Sequence, residues 1–158
     1  MMSADPSIGH AAADRRPVPV PDELSAPFWA ATARHMLTAA RCGRCALFTV
    51  APDQICPHCR SIAAEFVFEP VSGSGVVRSW TVVRQSFLSG FTADVPFVLV
   101  DVELIEQTEL RLIGRLLDGP GAPVEIGSAV RVAFEDIASG VAVPAFVLSG
   151  DDHRDGNV

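Results

Sequence analysis

The sequence predicts a mainly β protein with a short N-terminal helix, a four-cysteine metal ribbon and a C-terminal barrel or sandwich. Three observations predict this class. One stretch near residue 30 has helically spaced apolar residues, two C-x-x-C pairs follow it, and beyond residue 64 the apolar residues recur with a period of two. We expect a disordered tail at residues 1–20, a helical segment at 21–40, the ribbon at 41–64, the barrel at 65–150 and a second disordered tail at 151–158.

The helical segment begins at Ser25. A serine that can cap a helix, with Pro27 in the first turn, precedes an apolar run that extends to Met36. Phe28 and Trp29 are adjacent bulky aromatics on this short helix, and they must be buried against something. We therefore expect these two side chains to contact a partner chain.

All four cysteines of the chain form two C-x-x-C pairs. Cys42 and Cys45 make the first pair, and Cys56 and Cys59 make the second after a gap of ten residues. Each pair can direct two thiolates at one ion, and four thiolates complete the tetrahedron that Zn²⁺ prefers. No ligand position stays open, so we expect a structural zinc site in which His58 takes no part. Iron in the same cage, or a redox or disulfide role, is the alternative.

Five or six short strands are expected beyond the ribbon. Val, Ile and Leu alternate there with polar residues between turn-forming Gly, Pro, Asp and Ser. The expected strands are 76–84, 96–104, 110–117 and 130–135, to which 65–70 and 142–148 can each add one. Strands of this number and length form a small closed antiparallel barrel or a sandwich. The polar residues 106–109 predict a hairpin between two of the strands.

Composition and charge narrow the class of function. The chain has 158 residues, of which 49% are hydrophobic and 20% charged, as in a single folded domain. No apolar run is long enough for a bilayer and no signal peptide is recognisable, so we expect a cytoplasmic protein without membrane contact. The net charge of −7 makes nucleic-acid binding an unfavourable interpretation.

Catalytic motifs are missing from the sequence. It has no G-x-S-x-G elbow, no phosphate-binding P-loop and no dinucleotide-binding turn. Of the four histidines, His35 alone is expected near a folded surface outside the cysteine pairs, and a structural role is favoured for it. The sequence therefore suggests a binding subunit with little activity of its own.

Several short motifs recur in the order of a known family. They are Phe28-Trp29, Arg41-Cys42-Gly43-Arg44-Cys45, Pro52, Cys56-Pro57-His58-Cys59, Ser72-Gly73-Ser74-Gly75-Val76-Val77, Pro96-Phe97-Val98, Ile126-Gly127 and Phe134-Glu135-Asp136. Over residues 21–148 the chain resembles the zinc-ribbon OB-fold proteins that accompany thiolase-like and lipid-transfer-type enzymes. The resemblance implies a rubredoxin-like zinc ribbon and an OB-fold barrel. Only the four cysteines carry over residue by residue, and Ala51 stands where the family often has a second proline.

The resemblance also implies a function. It suggests a non-catalytic subunit of a retro-aldolase, ketothiolase-type or acyltransferase complex in lipid or steroid side-chain metabolism. In such a hetero-oligomer the chain stabilises its partner and helps to form the acyl-CoA site. There are two alternatives. A standalone acyl-CoA or lipid carrier would bind CoA thioesters unaided, whereas a single-stranded nucleic-acid-binding module would bind single strands in a salt-dependent way.

Two groups of residues are candidates for ligand or partner contact in such a complex. The loop around 84–91 mixes polar and apolar residues, and its Arg84, Phe87 and Phe91 suit a partner or an acyl group, although an ordinary hairpin loop is the alternative. Arg44 and Arg60 stand beside the cysteines in a locally basic segment. They are candidates for a CoA phosphate, or they neutralise the thiolates.

Overall fold

The computed structural model describes residues 15–150, which form one short helix and eight strands. The elements are α1 (Ala26–Thr32), β1 (Thr38–Cys42), β2 (Phe48–Thr49), β3 (Phe66–Pro70), β4 (Ser74–Val83), β5 (Phe97–Leu104), β6 (Arg111–Leu116), β7 (Ala129–Ala138) and β8 (Val141–Leu148). The mainly β class is confirmed. The tail expected at 151–158, and residues 1–14 of the other tail, lie outside the described residues. No helix within 15–150 is long and apolar enough to cross a membrane.

Helix α1 is shorter than the sequence pattern predicts. It ends at Thr32, and three residues later His35 takes a φ of 55°, in the left-handed region that a helix cannot continue through. Ser25 is the N-cap residue, but its side chain does not cap the helix. Instead the Ser25 backbone N–H donates to Asp22 Oδ1 at 2.7 Å, and its hydroxyl donates to the same oxygen at 2.6 Å.

Strands β1, β2 and β3 form an antiparallel sheet in the order β2-β1-β3, which we call the ribbon sheet. Ala40 of the central strand pairs with Thr49 of β2 on one side and with Phe68 of β3 on the other. The sequence pattern assigns residues 65–70 to the barrel, and this assignment is wrong because all five residues of β3 pair with β1. Strand β1 was not predicted, since its small buried Ala39 and Ala40 have low β propensity.

The remaining strands close into a barrel in the order β4-β5-β6-β8-β7, and β7 pairs with β4. This closed five-stranded barrel confirms the expected OB-type architecture. The predicted hairpin is confirmed as β5 and β6, in which Asp101 lies opposite Ile113. One pair departs from the antiparallel expectation: β6 and β8 run parallel, with Arg115 opposite Ala145.

The hydrophobic core fills the barrel and extends to the helix. Alternate residues of β5, Val100 and Val102, are fully buried, as is Phe146 of β8. Phe28 of α1 and Leu37 at the start of the ribbon sheet belong to the same cluster. The helix therefore packs at the junction of the ribbon sheet and the barrel, and it positions one wall of the groove described below.

Candidate metal centre and contact surfaces

The four cysteine sulfurs lie within 4.8 Å of one another. The Sγ atoms of Cys42 and Cys59 are 4.0 Å apart, and those of Cys45 and Cys56 are 3.8 Å apart. In a tetrahedral site with metal–sulfur bonds of about 2.3 Å, the sulfurs are separated by about 3.8 Å. The cluster therefore has the dimensions of a four-thiolate metal centre.

Two turns of the same construction present these sulfurs. The N–H of Ala46 donates to the carbonyl oxygen of Cys42 at 2.9 Å, and the N–H of Arg60 donates to that of Cys56 at the same distance. Ala46 and Arg60 both adopt positive φ, at 61° and 59°. In each turn the left-handed residue follows the second cysteine directly and bends the chain around the sulfurs. The local sequence of each pair is therefore sufficient to place two ligands.

The pKa values of two thiols of the cluster are shifted in opposite directions. Backbone N–H groups of Cys59 and His58 point at the Cys56 sulfur and lower the pKa of this thiol to about 7. The Leu47 N–H has the same effect on Cys45, but desolvation and the three neighbouring sulfurs outweigh it and raise the pKa of Cys45 to about 11. Four adjacent thiolates repel one another, so a bound cation is what allows them all to ionise.

Two histidines near the ribbon sheet take structural positions. Nε2 of His58 lies 2.9 Å from the carbonyl oxygen of Phe48. The ring of His35 stacks on Phe134 with a centroid distance of 5.3 Å, and its Nε2 lies 2.9 Å from Asp136 Oδ1. These contacts agree with the structural roles that the sequence suggests for both residues.

Arg44 and Arg60 are exposed on the two cysteine turns. Among residues 15–150 neither guanidinium forms an ion pair, whereas Arg41 pairs with Glu69 at 3.5 Å. The Arg44 N–H lies 3.4 Å from the Cys42 sulfur. The backbone N–H of Arg44 therefore donates to the Cys42 sulfur, while its side chain faces solvent.

An apolar groove of about 470 Å³ lies between α1, the segment after β2 and the strands β6 and β8. It is lined by Asp22, Leu24, Ser25, Phe28, Trp29, Val50, Ala51, Pro52, Leu112, Ile113, Val143 and Pro144. Both helix aromatics line the groove; Phe28 is only 8% exposed and belongs to the core, whereas Trp29 is the more exposed of the two. Ile113 is 65% exposed on the barrel side. Sequence reasoning missed the barrel residues of this groove, since the strand pattern does not show where the helix packs.

The loop between β4 and β5 carries the most exposed aromatic side chain of the described chain. Phe87 is 91% exposed and its neighbour Leu88 62%. Arg84 is exposed at the start of the loop, whereas Phe91 is half-buried against Phe97, with 6.1 Å between the ring centroids. The structure therefore separates the predicted loop residues into two that face solvent and one that anchors the loop to the barrel.

Comparisons with known proteins identify the barrel. No protein of curated function matches the chain. Residues 68–135 match a family model described as "ChsH2, C-terminal OB-fold domain". The barrel region is therefore similar to the OB-fold domain of ChsH2. The resemblance stated from the sequence motifs is thereby confirmed.

Two solved structures extend the ChsH2-like likeness beyond the barrel. The chain is 27% identical to one named "Ltp2-ChsH2(DUF35) aldolase", with a TM-score of 0.70, over 82% of this chain and 98% of that chain. A DUF35-family protein of unknown function from Sulfolobus solfataricus shares the fold at 13% identity and a TM-score of 0.55, over 80% of this chain and 86% of its own. The barrel strands occupy residues 74–148, so likeness over 82% of the chain includes part of the helix and ribbon.

Proposed function

We propose that this chain is the accessory subunit of an acyl-CoA aldolase complex whose catalytic partner is a thiolase-like, lipid-transfer-type enzyme. The observation that carries the proposal is the match to 98% of a chain in the Ltp2-ChsH2 aldolase. The likeness extends beyond the barrel, and the helix and ribbon are where the groove and the cysteines lie. The substrate class is an acyl-CoA thioester of lipid or steroid side-chain metabolism, and the complex is cytoplasmic, where four reduced thiols persist.

The partner contact is assigned to the groove edge. Trp29 and Ile113 are apolar, partly exposed and on opposite walls of the same groove. Tryptophan is among the residues that supply most of the binding energy at protein interfaces, and Ile113 adds apolar contact area. Phe28 supports this surface from beneath, because it is packed in the core.

The metal is proposed to be Zn²⁺ with a structural role. All four ligands come from this chain, so the ion leaves no position for substrate. The groove residues Val50 and Pro52 lie between the second and third ligands, Cys45 and Cys56, in the sequence. The metal therefore fixes a wall of the groove, and its contribution to the complex is to hold the docking surface in shape.

Contact with the acyl-CoA is assigned to exposed residues that lack a structural role. Phe87 at the loop tip offers apolar surface, and Arg84 offers a charge beside it. The exposed Arg44 and Arg60 suit the phosphates of CoA, because guanidinium groups bind phosphate through paired hydrogen bonds. In this proposal the chain completes a site whose reacting groups belong to the partner.

The apolar groove favours a second candidate function, a standalone carrier of acyl-CoA or lipid. Its volume of about 470 Å³ lies within the usual range for small-molecule sites. A carrier would fill this groove with the acyl chain and would need no partner. The two functions assign the same groove to different occupants, and one experiment separates them.

The experiment is affinity capture of the tagged chain from its native cells, followed by separation and reassembly of what co-elutes. We expect one stoichiometric thiolase-like chain, and a complex that cleaves the Cα–Cβ bond of a β-hydroxyacyl-CoA to a carbonyl compound and a shortened acyl-CoA. Activity should be lost on separation and return on mixing. A chain that elutes alone and binds acyl-CoA supports the carrier instead, and one that does neither contradicts both.

A matched pair of variants localises the contact. Ile113→Asp places a charge in the groove, whereas Ile105→Asp places it at a residue of similar exposure, 67%, that does not line the groove. We expect the first to weaken complex formation by at least about tenfold and the second to leave it unchanged. Equal effects of the two variants would show that the groove is not part of the interface.

A further inference from the structure

Four charged side chains meet at one end of the barrel and come from four distant parts of the chain. Arg16 forms ion pairs with Asp94, in the β4–β5 loop, and with Glu135 of β7 at 3.2 Å. Arg115 of β6 contacts the same two carboxylates, at 3.5 Å from Asp94 and 3.1 Å from Glu135. The two cations and two anions alternate, and their side chains are only 18–32% exposed.

Two aromatic rings lie beneath this charge cluster. The Arg16 guanidinium lies 5.0 Å from the ring centroid of Phe91, and that of Arg115 lies 4.9 Å from the ring centroid of Phe97. A cation over an aromatic face is attracted by the ring in addition to its ion pairs. Arg16 therefore holds the loop twice, once through Asp94 and once through Phe91.

The backbone of the N-terminal segment also lies directly on the loop. Gly90 has a φ of 77°, and a Cβ at this position would come within 2.3 Å of the Arg16 nitrogen and 2.6 Å of the Arg15 carbonyl carbon. A residue with any side chain would therefore push the two segments apart. The glycine allows backbone to pack on backbone, and this contact is independent of the ion pairs.

We propose that residues 15–16 form a latch that holds the β4–β5 loop against the barrel and thereby sets the position of Phe87 and Leu88. The described loop has no strand partner between the end of β4 and the start of β5, so tertiary contacts must order it. Arg16 is the contact that comes from outside the barrel. When it lifts off, the loop loses the ion pair at Asp94 and the cation–π contact at Phe91, and it is held less firmly by Arg115 and Phe97.

The latch also affects binding in the proposed function. This effect on binding depends on the proposed function, whereas the latch itself does not. If the loop tip contacts a partner or an acyl group, a closed latch presents Phe87 and Leu88 in one arrangement. An open latch adds the entropy cost of ordering the loop to the cost of binding. The N-terminal segment would then regulate binding from a position outside the groove and the metal centre.

Hydrogen exchange on the full-length chain, without partner or ligand, tests the latch. We expect Arg16→Gln to speed amide exchange in residues 86–94 by about tenfold, while exchange in β5 stays unchanged. Arg15→Gln is the matched control, because that variant keeps the backbone contact and the Arg16 ion pairs. A chain that begins at residue 17 loses the backbone contact with Gly90 as well, so its loop should exchange at least as fast as that of Arg16→Gln.

A charge swap makes the test specific to the ion pair. The double variant Arg16→Asp with Asp94→Arg should restore part of the protection that either single change removes. Unchanged loop exchange in Arg16→Gln would overturn the latch. The latch would also be overturned if amide exchange in β5 rose by the same factor and the charge swap did not reverse this rise. Because no partner is present, failure here leaves the subunit proposal intact, and failure of the capture experiment leaves the latch intact.

Discussion

The side-chain amide of Gln107 binds both backbone groups of Phe48. The Phe48 N–H donates to Gln107 Oε1 at 2.8 Å, and Gln107 Nε2 donates to the Phe48 carbonyl oxygen at 3.0 Å. Gln107 lies in the β5–β6 hairpin of the barrel, and Phe48 lies in β2 of the ribbon sheet. A barrel side chain therefore takes the place of a neighbouring strand and joins the two parts of the fold.

Replacing Gln107 by Ala should loosen this joint. The Phe48 N–H would lose its partner in a half-buried position, so we expect the free energy of unfolding to fall by about 1–3 kcal/mol. Exchange of the Phe48 amide should accelerate more than that of the β5 amides. Gln54→Ala is the control, since Gln54 is exposed and its side chain makes no hydrogen bond within residues 15–150. Equal denaturation curves for the two variants would show that the joint is held by packing alone.

Replacing Cys42 by Ser should release the metal and unfold the ribbon sheet, because metal binding and folding of such a site are one equilibrium. Metal content by mass spectrometry should fall from one equivalent to near zero. Arg44→Gln, in the same turn, should keep the full equivalent. A Cys42→Ser protein that retains both its metal and its fold would contradict the four-thiolate site, and the metal found in the intact protein decides between zinc and iron.

The two helix aromatics should behave differently on truncation. Phe28→Ala removes a side chain that is 8% exposed and should lower the free energy of unfolding by about 3–5 kcal/mol. Trp29→Ala should cost less stability, because Trp29 is partly exposed at the groove, and should weaken partner binding more. Urea denaturation and complex formation measured on both variants separate these roles. The assignment fails if Trp29→Ala is the more destabilising change.

Acidification should release the hydrogen bonds that precede α1. Hydrogen bonds from the side chain and backbone of Ser25 lower the pKa of the Asp22 carboxyl. Because the folded-state pKa lies below the unfolded one, the stabilisation is complete at neutral pH and disappears as the pH falls below about 4. The protection factor of the Ser25 amide should fall over that range in the native protein, and it should be low at all pH values in Asp22→Ala. Glu23→Gln should not change the profile.

The four-cysteine cluster was predictable from the sequence because its geometry is local. Each C-x-x-C pair forms its turn through a hydrogen bond between residues four apart, such as Ala46 and Cys42. The five barrel strands and the β5–β6 hairpin were predictable for a similar reason, since alternation and turn residues are short-range signals. The predicted helix α1 is too long, because apolar spacing does not reveal the left-handed turn at His35.

Long-range relationships were not predictable from one sequence. Arg16 lies 78 residues from Asp94 and 119 from Glu135 along the chain, and its Arg-Arg-Pro surroundings resemble those of any polar tail. Strand β3 has a clear strand pattern, but the pattern does not state that its neighbour is β1. The groove likewise depends on how α1 packs on β8. The periodicity of the sequence within either element does not predict this packing.

The parallel pairing of β6 with β8 determines when the barrel can be completed during synthesis. Strands β4, β5 and β6 follow one another and can pair as they leave the ribosome. The edge of β6 that does not face β5 is paired only after β8 has been synthesised, when Leu116 pairs with Phe146. Until then β6 exposes unpaired backbone groups, which is the kind of edge through which chains aggregate. Nascent chains that stop before β8 should therefore be the form of this protein that most needs a chaperone.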